Sequence, residues 1–183
     1  MHKIVNSDFK LDLVFNCISN IKIKNNSDTL ILKYDFWHNV FFCWINTIIS
    51  EYESFYFSNL ILNKKYISLS FEITNNTEIE KLNEKWLSKS GPTDVLSFPI
   101  ISEKDPLNNF SFVELGDLFI SLDIAKEQSL KYNHSLTKEM LWLASHGFLH
   151  LLGLEHNDNN ELDIMLNLQE YFISKLNYLS IFK

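Results

Sequence analysis

Residues 146–156 read HGFLHLLGLEH and hold three of the chain's six histidines. This stretch constrains the fold more than any other. At about 100° per residue, His146 and His150 leave one face of a helix a single turn apart. Gly153, the residue type that most easily leaves a helix through a left-handed conformation, then lets the chain reverse and bring His156 round to the same point. Any fold must therefore supply a helix, a glycine turn and a returning segment around one centre. Three neutral imidazoles suit one Zn²⁺ ion, and three protein ligands leave a fourth position for water, the pattern of catalytic sites. His2, His38 and His134 read as structural: a terminal residue, a helix-start residue and a residue beside the cap of the next helix.

The same spacing matches the extended zinc-protease signature H-E-x-x-H-x-x-G-x-x-H at every position but one. Where such a protease carries its general-base Glu, this chain has Gly147, which accepts no proton. Met165 falls inside an amphipathic pattern and reads as core, not as the Met-turn of that group. A peptidase would need its base from elsewhere.

The chain has 183 residues, which suits one domain over 1–183 with a sizeable core. No repeat, linker or block of like charge divides it. The first fifteen residues lack the pattern of a secretory signal, and no apolar run reaches the ~18 residues of a membrane helix, so the expectation is a cytoplasmic protein without a membrane partner. Cys17 and Cys43 are far apart with no CxxC spacing and read as buried free thiols. A net charge of −7 disfavours bulk coating of nucleic acid and leaves only local patches for phosphate. All sixteen cations are Lys.

Periodicity predicts strands at 29–35, 66–74, 95–98 and 114–122, and helices at 36–53, from 77 onward, and at 123–132, 136–152 and 160–177. Thr77 and Glu80 have capping-box spacing at the start of the second helix. Pro99 ends the third strand, and a polar loop is expected near 101–111. Strands concentrate early and helices late. The expected class is α+β, a small mixed β-sheet covered by helices, with the histidine site on a helix and the turn after it.

Taken together, these motifs resemble the YbeY family of metal-dependent endoribonucleases, the rRNA maturation factors. The family signature H-G-x-L-H-L-x-G-x-D-H is met by His146, Gly147, Leu149, His150, Leu151, Gly153 and His156, with Glu155 in place of the Asp. Leu82–Asn83, then Thr93–Pro99 (TDVLSFP), then Leu115–Asp117 (LGD) follow in the family's order. The close similarity covers residues 66–156. It implies a cytoplasmic zinc endoribonuclease that acts on single-stranded ribosomal RNA, notably the 3′ end of small-subunit rRNA, and in ribosome quality control. The small subunit and assembly factors are the implied partners, with no DNA. The family's arginine after the LN motif falls at Leu87 here, and Lys81, Lys85 and Lys89 recur around that spot among Glu78, Glu80 and Glu84.

The candidate site is thus His146, His150 and His156 as metal ligands, with Glu155 as an acceptor for a ligand's free N–H, as a proton acceptor, or simply as an exposed residue of the turn. Asp94, Asp117, Thr93 and Ser97 read as residues that satisfy turns and strand ends. Either metal-activated water or the RNA's own 2′-OH can serve as nucleophile in such a site. Two other readings stay open: a ribosome-assembly binding factor with a structural zinc, and a metallopeptidase.

Overall fold

In KLDLVFNC the residues Leu11, Leu13, Phe15 and Cys17 alternate with exposed Lys10, Asp12, Val14 and Asn16, which suits a strand with one covered face. The computed structural model describes residues 9–18, 23, 26–51, 58–100 and 110–176, and forms this segment as β1, Lys10–Cys17. No strand was expected there. β2 is Tyr66–Thr74, β3 Val95–Pro99 and β4 Phe112–Ser121. The sheet order is β1-β2-β4-β3, with β1 and β4 parallel to β2 and β3 antiparallel to β4, so the sheet is mixed as expected.

Five α-helices accompany the sheet among the described residues: α1 Tyr34–Ser50, α2 Asn76–Leu87, α3 Leu122–Lys131, α4 Leu136–Leu151 and α5 Asn159–Leu176. One sheet face packs under α1 and α4. There the Trp37 and Phe41 rings lie 4.6 and 5.6 Å from the Phe71 ring of β2, and Trp44 and Phe148 continue the stack toward Phe172 of α5. Each buried indole N–H finds a carbonyl: Trp37 donates to Ile31 and Trp44 to Phe172. The opposite face carries Ser68, Ser70 and Glu72 and is bordered by α2.

Two local expectations are corrected. The stretch 29–35 is not a strand: residues Asn26–Leu32 form a 3₁₀ helix that runs into α1. Asp28 holds it there, accepting hydrogen bonds from the Thr137 N–H at 3.1 Å and the Thr137 hydroxyl at 2.7 Å. Short β-branched runs fit a buried helical turn as well as a strand, and here tertiary contacts decide. The cap of α2 is Asn75, whose Oδ1 accepts the Glu78 N–H, so Thr77 and Glu80 lie already inside the helix. Asp123 draws the start upstream by accepting the Asn76 N–H. His2 and most of the loop near 101–111 lie outside the described residues.

In the LGD segment, Ser68 pairs with Glu114 but Ser70 pairs with Asp117, so Leu115 and Gly116 together oppose one residue of β2. This is a β-bulge. Gly116 has φ +127°, and a Cβ there would stand 2.1 Å from the Phe98 carbonyl oxygen. Only glycine fits.

Candidate metal centre

Ser135 starts α4 by accepting the Lys138 N–H, and its end is closed around Gly153. The Leu154 N–H bonds to the Leu149 carbonyl and the Gly153 N–H to the His150 carbonyl, with Gly153 at φ +87°. This is a Schellman closure with buried Leu154 as its apolar anchor. It performs the reversal expected from the sequence. The His146 and His150 ring centroids are 4.7 Å apart, and the His156 ring lies 5.2 Å from each. One nitrogen from each of the three can be chosen so that all lie within 4.8 Å of one another.

The hydrogen bonds around these rings fix which nitrogens face inward. The Leu154 carbonyl, 2.8 Å from His150 Nδ1, can only accept, so that Nδ1 carries the proton. Gln169 donates its amide to the Trp142 carbonyl, which leaves its Oε1 to accept from His146 Nδ1 at 3.1 Å. Both Nε2 atoms are therefore bare lone pairs, and they face each other at 3.2 Å. Two lone pairs at that distance repel unless a cation lies between them. A tetrahedral ion with bonds of about 2.0–2.1 Å holds its nitrogens about 3.3 Å apart, so the donor set fits zinc. Burial, above all, lowers the pKa of His146 and of His150 and favours the neutral, ligating form.

Gln169 and the Leu154 carbonyl are the orienting groups the sequence reading missed. A signal for Gln169 exists: in α5 it occupies the buried stripe of Met165, Phe172 and Leu176, where a polar residue needs a reason. Met165 is core, as expected. Glu155 is exposed, with Oε2 3.8 Å from His150 Nδ1, while the hydrogen bond of that nitrogen goes to Leu154. His134 pairs with Glu139, away from the three-histidine cluster, and His38 lies in α1 beside Tyr34.

Asp94 and Ser97 tie the site to the sheet. Asp94 accepts from Val95 N–H, Thr93 hydroxyl and Gln128 amide, and its charge favours protonated His146. The Ser97 hydroxyl donates to the Gly147 carbonyl at 3.1 Å. A Cβ on Gly147 would meet Leu118 Cδ1 at 2.2 Å, Ser97 Oγ at 2.9 Å and Val95 Cγ2 at 3.1 Å. The position that holds a glutamate in zinc proteases is thus pressed onto β3 and β4, with no room for any side chain. Asp117 sits opposite Phe98 in the β3–β4 register. Leu87 is exposed, Lys81 is ion-paired with Glu78 at 2.8 Å, and the Lys85 ammonium lies 4.9 Å from the Trp86 ring centre. Cys17 and Cys43 are free and partly buried.

A family model described as Endoribonuclease YbeY matches residues 36–177. Curated relatives named Endoribonuclease YbeY are similar along nearly the whole chain. The one from Prochlorococcus marinus strain MIT 9515 is 57% identical over 96% of this chain and 99% of its own length. One from Synechococcus strain CC9902 is 38% identical over 88% of each chain. A solution structure of a Thermotoga maritima protein shares the fold, with TM-score 0.55 and 18% identity over 90% of this chain and 89% of its own.

Proposed function

The chain belongs to the YbeY endoribonuclease family, and we propose that it is a zinc-dependent endoribonuclease that cuts single-stranded ribosomal RNA. Family and three-histidine cluster together make it an RNA-processing metalloenzyme. The finer reading places its cut at the 3′ end of small-subunit rRNA, in the cytoplasm, with the small subunit and its assembly factors as partners and a role in ribosome quality control. The observation that carries the metal chemistry is the pair of unprotonated Nε2 atoms facing each other at 3.2 Å.

His146, His150 and His156 would hold one zinc ion. A bound zinc lowers the pKa of water it holds and draws charge from a phosphoryl oxygen. Gln169 and the Leu154 carbonyl keep two of the imidazoles in the ligating tautomer and orientation. Glu155, exposed on the Nδ1 side of the His150 ring, lends its negative charge to that imidazole from behind. The crowding at Gly147 supports a nuclease over a peptidase, since it leaves no place for the protease base.

The test is metal content and cleavage of a single-stranded rRNA fragment, with wild type beside His150→Ala. About one zinc per chain and cleavage lost in the variant, with circular dichroism unchanged and melting equal to that of wild type when both are in excess chelator, is the expected result. Cleavage that persists in metal-free protein would sink the proposal. Stoichiometric zinc without cleavage would instead favour an assembly factor. Product ends choose the nucleophile: a 2′,3′-cyclic phosphate marks attack by the 2′-OH.

A further inference from the structure

Of the described tryptophans, Trp37 and Trp44 are fully buried and Trp142 is partly buried, but Trp86 is 61% exposed. So large an apolar side chain at the surface calls for an explanation. Trp86 is not alone. Its ring centre lies 6.3 Å from that of Phe98 on β3, and Phe98 lies 6.0 Å edge-on from Phe119 on β4. This ridge runs along the sheet face opposite the aromatic core and ends at a cleft of about 300 Å³ between α2 and the sheet.

The cleft is lined by Glu72, Thr74, Lys81, Leu82 and Phe119, with Glu78 and Lys85 at the helix side. Thr74 is 1% exposed, and its hydroxyl oxygen is buried with no hydrogen-bond partner among the described residues. A buried hydroxyl in a cleft wall without a protein partner has its hydrogen-bonding capacity free for an occupant. Lys85 sits over the Trp86 ring and Lys81 beside Glu78. Glu72 and Glu78 turn a phosphate away from the interior, so an occupant with a phosphate must keep it at the lysine side and place a neutral, flat, hydrogen-bonding group inside.

That description is of a nucleotide. Resting on the endoribonuclease reading, we propose that this cleft and ridge hold one unpaired nucleotide of the RNA substrate beyond the cut. Its base lies against the Trp86–Phe98–Phe119 ridge with an edge toward the Thr74 hydroxyl, and its backbone runs past Lys85. β3 joins the two regions. It is one of the sheet's two edge strands among the described residues, and its successive residues Ser97 and Phe98 face opposite sides, Ser97 bonded to Gly147 between the metal-helix histidines and Phe98 in the ridge. Stacking tolerates any base, which gives a grip on single strands without sequence reading and excludes duplexes, whose bases present no face.

The experiment titrates zinc-loaded protein with a short 2′-O-methylated single strand, which binds but offers no 2′-OH, and follows tryptophan fluorescence and anisotropy. Wild type should bind with quenching. Trp86→Ala should lose about tenfold or more in Kd, and Trp86→Phe should restore the affinity but not the quench. With cleavable RNA the alanine variant should raise KM and leave kcat near wild type, because the contact is made equally in ground and transition states. Thr74→Val should raise the Tm of the free protein, having removed an unpaired buried hydroxyl, while weakening RNA binding. Unchanged affinity and quench in Trp86→Ala, in a protein that still cuts RNA, overturns the nucleotide site and leaves the nuclease reading intact. So does a Trp86 surface that captures only protein. A wild type that neither binds nor cuts overturns both.

Discussion

Gly147→Ala adds one methyl group and sets two effects against each other. In an exposed helix the change would stabilise by about 1 kcal/mol, the difference in helix propensity. Here the new Cβ would stand 2.2 Å from Leu118 Cδ1, where carbon atoms settle at about 3.5–4.0 Å. Leu118 is fully buried, so its side chain has no open space to move into, and Val95 and Ser97 close the other sides. Overpacking of this kind costs about 1–3 kcal/mol, and a contact so short belongs in the upper half of that range. The net expectation is a loss of about 1–2 kcal/mol, or a Tm lowered by about 2–8 °C for a chain of this size. Urea unfolding of both proteins in excess chelator measures it without interference from metal binding. A variant as stable as wild type, or more stable, would refute the claim that α4 seats on the sheet through the missing side chain. Gly147→Glu, which completes the protease signature, should unfold more readily still and gain no peptidase activity.

Gln169→Leu removes the acceptor for His146 Nδ1 while filling the same buried position, and should weaken zinc about 10–100-fold in a chelator competition with helix content unchanged. Gly116→Ala should cost more than Gly147→Ala, at least about 2–3 kcal/mol by urea unfolding, because the obstacle is the Phe98 backbone oxygen at 2.1 Å and the φ is left-handed. The Cys17 thiol is pushed up to about 11, mainly by burial and further by Glu72. Its alkylation should stay slow at pH 8, where about one molecule in a thousand is thiolate, and rise tenfold per pH unit until near 11; a plateau near pH 9 would contradict the burial.

The parts of the fold governed by local pattern were legible in the sequence. The reversal at Gly153 follows from residue type and spacing, and the strands expected over 66–74 and 95–98 form where alternation and Pro99 put them, the second running one residue further to include Pro99. Other parts depend on distant residues. The segment 26–32 is helical because Asp28 bonds to Thr137, more than a hundred positions away, and no window around 29–35 contains that information. Alternation in 10–17 is as clear as in any strand of the chain, so β1 was legible as a strand from Leu11, Leu13, Phe15 and Cys17, and only its pairing with a segment that begins at Tyr66 was not. The three-histidine cluster could be read because all its members lie within eleven residues. Their orienting groups could not: Gln169 comes from the next helix, and the Leu154 acceptor is a backbone carbonyl that every residue possesses.

The three sequence blocks behind the family resemblance lie tens of residues apart, yet they meet at one junction. TDVLSFP supplies Val95 and Ser97 against Gly147, and the Phe98 carbonyl against Gly116; LGD supplies Gly116, and the next residue, Leu118, presses on Gly147. HGFLH supplies Gly147 and, on either side of it, the candidate ligands His146 and His150. Two glycines without side chains thus let β3 approach β4 and α4 approach both. Asp94, at the head of the same strand, bonds Gln128 and directs its charge at His146. The depth at which α4 seats on the sheet therefore sets where the ligands stand relative to Asp94 and the strand edge. On this ground Gly147→Ala should loosen zinc as well as the fold, whereas a core truncation of similar cost remote from the junction, such as Ile48→Val, should leave zinc affinity unchanged. Equal zinc affinities in the two variants would separate the junction from the site.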